Sequence, residues 1–165
     1  MAIITAESFV SVVKKFSLVG RMIEGYRFIK NTDILVGIPE DKNVAHSGGI
    51  TNAELLFIHQ NGSPARNIPA RPVLTKPLDD AENVERLHGL YKNAIKLAML
   101  GEVDSAKNIY EKIGMKAQVM VQKEFGKIGP PLKPATIKAK GSSATLIDTG
   151  ALRQAITYVV RDKKK

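Results

Sequence analysis

Residues 129–160 read GPPLKPATIKAKGSSATLIDTGALRQAITYVV, and the meaning of Asp148-Thr149-Gly150 within them decides the fold. An Asp-Thr-Gly triplet can form the turn of an aspartic protease, in which two such carboxylates share a proton. That site also needs a Gly-rich strand, a flap and a closing sheet beyond the triplet, and fifteen residues follow Gly150. Ala151-Leu152-Arg153-Gln154-Ala155-Ile156 reads instead as a helical turn capped by Asp148 or Thr149, and the alternation over 156–160 reads as a final strand. Upstream, Pro130-Pro131, Pro134 and Gly141-Ser142-Ser143 predict a flexible, extended arm over about residues 127–147, with one turn near Pro134.

Before the arm, two long helical patterns stand in series. Leu78, Ala81, Val84, Leu87, Tyr91, Ala94, Ile95 and Ala98 mark one apolar face up to Gly101. Val103, Ala106, Tyr110, Ile113, Ala117, Met120, Val121 and Phe125 mark a second, ended by Gly126. A connection of a few residues makes them an antiparallel helix pair. Gly89 and Gly114 inside the patterns either interrupt the helices or admit close packing.

Further back, Pro64, Pro69, Pro72 and Pro77 hold their stretch extended, so residues 68–74 read as a strand edge or a pinned crossover. Thr51-Asn52-Ala53-Glu54 has the form of a capping box opening a short helix through His59, with Gly62 as its stop. Residues 26–29 and 34–38 read as short strands, the second ended by Pro39. Phe9, Val12, Val13, Phe16 and Val19 carry helical spacing over residues 5–19, closed by Gly20. The expected class is α+β: a small, mostly antiparallel sheet flanked by an N-terminal helix and a long antiparallel helix pair, with extended Pro/Lys-rich loops. One domain over 1–165 is the expectation at 165 residues.

Composition narrows the chemistry. Hydrophobic residues make up 44% of the chain but aromatics only 5%, so aliphatic side chains and Ala must fill the core. With no Cys, neither a disulfide nor a thiolate metal site can form. Met1-Ala2-Ile3-Ile4 meets Thr5 and Glu7 too early for a signal peptide, and no apolar run approaches a membrane span, which predicts a cytoplasmic product. His46, His59 and His88 are scattered, with no HExxH, no Walker loop and no G-x-S-x-G elbow. No catalytic residue, cofactor or metal is expected. The net charge of +9 is concentrated late: residues 126–165 hold nine basic residues against Asp148 and Asp162. Such an arm, with a basic tail over 162–165, attracts phosphates or an acidic protein surface alike.

Two blocks of words carry a resemblance. Residues 53–62, AELLFIHQNG, followed by residues 67–74, NIPARPVL, resemble the "a-x-x-H-E-F-G … I-P-A-R-P-F-L" pattern of tailed-phage neck and tail-completion proteins, the virion-morphogenesis family of lambdoid and Mu-like phages. Residues 131–141, PLKPATIKAKG, and 146–152, LIDTGAL, resemble the same family's "P-L-x-x-x-T-I-x-x-K" and "L-x-D-T-G-x-L" words. Gln60-Asn61 stands where the family has Glu-Phe, Val73 stands where it has Phe, and its Trp before the Pro-Leu word is missing.

The resemblance implies a non-enzymatic structural subunit. It would form a ring, sixfold by preference, at the head-tail junction of a virion, assembled in the host cytoplasm with neighbouring neck and tail proteins. DNA would pass through, with non-specific contact at most. Matching positions then acquire expected roles: Arg71 and Pro72 as a rigid element that braces its own chain or meets a neighbour, and Lys133, Lys138 and Lys140 as an arm that orders against adjoining subunits. Thr51, Glu54, Asp148 and Thr149 are expected as structural caps. The competing reading is a basic nucleic-acid-binding module without a virion role.

Overall fold

The computed structural model describes residues 6–46 and 48–163, and for residues 6–16 the backbone alone. The N-terminal helix, α1 (Ala6–Asn31), runs past both of its glycines. Gly20 does not close it, and the expected strand at 26–29 is its last turns. Thr5 and the first four residues lie outside the described part. The helix continues because Gly25 serves packing: a Cβ there would stand 1.8 Å from the backbone oxygen of Ala98, so only a glycine lets the two helices touch at this point.

After α1 come β1 (Thr32–Gly37), α2 (Asn52–Asn61), α3 (Thr75–Asp79), α4 (Ala81–Met99), α5 (Val103–Glu124), α6 (Pro134–Lys140), α7 (Ala151–Ala155) and β2 (Thr157–Asp162). Short 3-10 turns occupy Glu40–Lys42 and Pro64–Arg66. The architecture is α+β, with β1 and β2 paired antiparallel as a two-stranded sheet and α4 packed on α5. The described residues form two compact units, to both of which α4, α5 and the strands contribute.

The first unit comprises residues 6–34, 88–113 and 160–163. Its interior is Ala94, Ala98 and Ala106, all fully buried, with Ile109, Tyr110 and Ile113. Small side chains bring helix axes together, and one aromatic group fills the remaining space: Phe28 and Tyr91 pack on Tyr110 with ring centroids 4.9 and 5.8 Å away. Lys163 belongs to the fold and not to a free tail, since its amide donates to the Asn31 carbonyl and its ammonium lies 3.2 Å from Asp33. Lys164 and Lys165 lie outside the described residues.

The second unit comprises residues 35–87 and 114–159. Its core gathers Leu56, Val73, Val121, Phe125, Ile128, Leu152 and Ile156, with Leu55, Leu74, Leu146 and Ile147 packed against it. Gly114 resolves as a packing position, because a Cβ would meet the Tyr158 ring at 2.2 Å. Residues 68–74 form no strand; they are a crossover, tied by the Ser63–Ile68 bridge and ending in the extra helix α3. Leu78 therefore belongs to α3, and α4 starts after the break at Asp80.

The segment expected as an extended arm contains α6 and is anchored at both ends. Ile128 is 2% exposed, Gly126 bridges to buried Thr145, and the Lys140 ammonium donates to the Ala144 carbonyl at 2.6 Å. Pro134 sits in the first turn of α6, where its missing N–H costs nothing, and Gly141 caps the end with φ +71°. The turn expected near Pro134 is thus a seven-residue helix that this proline starts.

Candidate functional site

The helix α2 starts as its sequence dictates. The Thr51 hydroxyl accepts from the Glu54 amide, and the Glu54 carboxylate accepts from the Thr51 amide at 2.8 Å, closing the capping box. The Thr51 amide, and then the Thr51 hydroxyl, both donating to this carboxylate, hold the Glu54 carboxyl below its ordinary range. Asn52 is buried beside them, accepting from His46 Nε2 at 2.7 Å and donating to the Lys42 carbonyl. The helix is thereby fixed at one end, and its last turn delivers His59.

Gln60, where the resembled family has Glu, ties this turn to the crossover. Its amide oxygen accepts from the Leu74 amide at 3.0 Å, and its amide nitrogen donates to Thr75 at 2.8 Å. The Arg71 amide donates to the His59 carbonyl at 2.7 Å, and Val73 fills the core with no exposure. Arg71 is therefore fixed by both its neighbours in sequence and α2. Its side chain is 6% exposed, and Nε donates to the Pro130 carbonyl at 3.0 Å. That bond braces the chain internally through one carbonyl.

A cleft of about 650 Å³ opens beside this brace. Its lining takes His59 from α2, Arg71 from the crossover, Thr136 and Lys140 from α6, and Asp148 and Thr149 from the turn before α7. The floor is apolar, from Leu55, Leu132, Leu146 and Leu152. All four words quoted for the resemblance, spread over residues 53–152, contribute to this one cavity. His59 Nδ1 is buried with no hydrogen-bond partner among the described residues. Burial lowers the His59 pKa, and the nearby Arg71 and Lys140 charges lower it further, so its imidazole is neutral at pH 7. Burial also lowers the Arg71 pKa, though a guanidinium stays charged.

Of the expected contact residues, the fold brings Arg71 and Lys140 together and leaves the others apart. Pro72 accepts from the Lys76 amide and starts α3. Lys133 and Lys138 are exposed at the N-cap and on the outer face of α6, without side-chain hydrogen bonds. The expected caps divide as well. Thr51 and Glu54 cap α2, but Gly150 occupies the N-cap of α7 at φ +83°, and no side chain caps that helix. Thr149 instead accepts from the Ala151 amide at 3.3 Å in a local turn, and Asp148 lines the cleft. The left-handed Gly150 turns the chain just before the helix, so it, and not Asp148 or Thr149, occupies the cap position.

His59 and Thr136 are the functional candidates that residue patterns missed. The signal was present, since both lie inside the quoted words, but three scattered histidines suggested nothing. Among the described residues, no group of three or more His, Cys, Asp or Glu could hold a metal ion. No described helix is long and apolar enough to cross a membrane. A second cavity of about 840 Å³, beside Glu54, Phe57 and Arg66, gathers no comparable set of polar side chains. Compared with protein-family models, curated proteins and solved structures, the chain matches none.

Proposed function

We propose that this chain is a structural virion subunit that assembles into a ring at the head-tail junction of a tailed phage, in a neck or tail-completion role. One observation carries the assembly part of the reading. Leu18, Val19, Met22, Ile23 and Tyr26 of α1 are 38–56% exposed, and their i, i+4 spacing puts them on one helix face. An apolar stripe over more than two turns is the kind of surface that a protein partner covers. A closed ring of identical subunits needs two different complementary faces, and such a stripe is suited to be one. The virion part rests on the resemblance in residues 53–152, whose separate words line a single cavity.

The test is native mass spectrometry of the purified chain at tens of micromolar, followed by negative-stain imaging. Rings of one stoichiometry, sixfold by preference, support the reading, and a monomer at every concentration refutes it. Imaging of particles that lack the protein tests the virion role: full heads without joined tails, or tails of uncontrolled length, are expected. The second reading, a nucleic-acid-binding module, draws on the net charge of +9 and on exposed Lys133 and Lys138. Salt-titrated DNA binding separates the two, because a phosphate-driven contact weakens steeply with salt and a ring subunit needs no such affinity.

A further inference from the structure

Arg71 presents an unusual condition. The residue is nine-tenths buried, yet among the described residues no carboxylate pairs with it, and its one side-chain hydrogen bond is from Nε to the Pro130 carbonyl. Buried charges in proteins are ordinarily paired, because an uncompensated ion in a poorly solvated site is costly. Asp148 shares the cleft but forms no ion pair with Arg71 or Lys140. The same cleft is lined by His59, whose buried Nδ1 has no partner among the described residues, by Thr136, and by Lys140, whose ammonium donates to the Ala144 carbonyl. The free donors of a guanidinium fork can take the two oxygens of a carboxylate.

The same chain carries exposed carboxylates without a cation. Asp79 and Glu85, at the junction of α3 and α4, form no ion pair among the described residues, while Asp80 between them accepts from the Asn83 amide at 3.0 Å. Glu82, in their midst, is already paired with Arg86. We propose that the Arg71 cleft is a carboxylate-binding site occupied by the acidic α3–α4 corner of a second copy of this chain. The cleft and the corner are different surfaces, so the contact is heterologous and repeats from copy to copy, as a ring requires. The inference rests on the ring reading but uses another surface than the α1 stripe.

The absence of Cys makes the contact directly testable by cross-linking. Ala139→Cys in the cleft and Ala81→Cys on the corner are both exposed positions that leave the proposed contact groups in place, and each variant carries one thiol. Differently tagged full-length copies are mixed and oxidised, with Glu111→Cys on α5 replacing Ala81→Cys as the control. An Ala139–Ala81 heterodimer at least roughly tenfold above the control is expected, since docking raises the effective thiol concentration. Separately, Asp79→Asn combined with Glu85→Gln should raise the concentration for half-assembly by roughly tenfold or more, in line with the loss of a charged partner. Rings that form without the cross-link, or that are indifferent to the double variant, overturn this contact and leave the ring reading standing. A chain that neither assembles nor cross-links overturns both.

Discussion

Glycine-to-alanine exchanges in the helices should split by sign, and Gly25→Ala is the decisive case. Inside a helix, Ala is better than Gly by about 0.8–1.0 kcal/mol, because glycine loses more backbone freedom on folding. Gly20 and Gly89 have nothing within 4 Å of an added Cβ, so Gly20→Ala and Gly89→Ala should each realise most of that gain. At Gly25 the added carbon would stand 1.8 Å from the Ala98 oxygen and 2.4 Å from its carbonyl carbon. A relaxed carbon-to-oxygen contact is about 3.3 Å, so the helices must part by roughly 1.5 Å. A gap of half to one ångström already forfeits a quarter to a half of the dispersion attraction, and here it would open beside Phe28 and Tyr110.

Overpacking costs about 1–3 kcal/mol, and a backbone obstacle that cannot rotate aside puts this site at the upper end. Subtracting the propensity gain leaves a net loss of about 2 kcal/mol for Gly25→Ala, or roughly 4–8 °C in Tm for a chain of this size. Urea titrations followed by circular dichroism on the three variants measure the effect. If Gly25→Ala matches or exceeds the stability of Gly20→Ala, the close approach of α1 and α4 is wrong.

Thr51→Ala removes one half of the capping box and should cost about 0.5–2 kcal/mol, read as a lowered urea midpoint. His59 contributes a pH dependence of definite sign: its folded pKa is depressed, so its contribution is complete above the ordinary value of 6.5 and declines as pH falls from there towards the folded pKa. Between those values the unfolded chain binds a proton that the folded chain refuses, with a slope of up to about 1.4 kcal/mol per pH unit, and His59→Gln should flatten the urea-midpoint profile there. Lys133→Glu with Lys138→Glu should change stability by no more than about 0.5 kcal/mol, both side chains being exposed and unbonded, while blocking virion joining. Adding Lys140→Glu should also destabilise, because its ammonium holds the Ala144 carbonyl, and wild-type yield from the triple variant would refute the role of this segment.

Much of the secondary structure is local and was legible as such. The capping box at Thr51 and Glu54, the stop at Gly62, and the helix pair turning at Gly101 depend on hydrogen bonds and backbone angles within a few residues. Errors arose where a local signal had a distant cause. Gly20 looked like the end of the first helix, but the helix runs on through Gly25, a contact point with Ala98. The arm around Pro134 looked extended apart from one turn, and that turn is the start of the seven-residue helix α6, which Lys140 and the buried Ile128 pin down from either side.

The amino-acid order by itself determined where α2 begins and stops, where the long helix pair turns, and the α+β class, because propensity, capping and periodicity act over one or two turns. Only the tertiary structure decided that His59, Arg71, Lys140 and Asp148 line one cleft, and that Arg71 is buried there without a counterion. Burial and pairing of charge are set by which segments pack together across ninety residues of chain, and that depends on long-range burial of Leu56, Val73, Val121 and Leu152 in a common core.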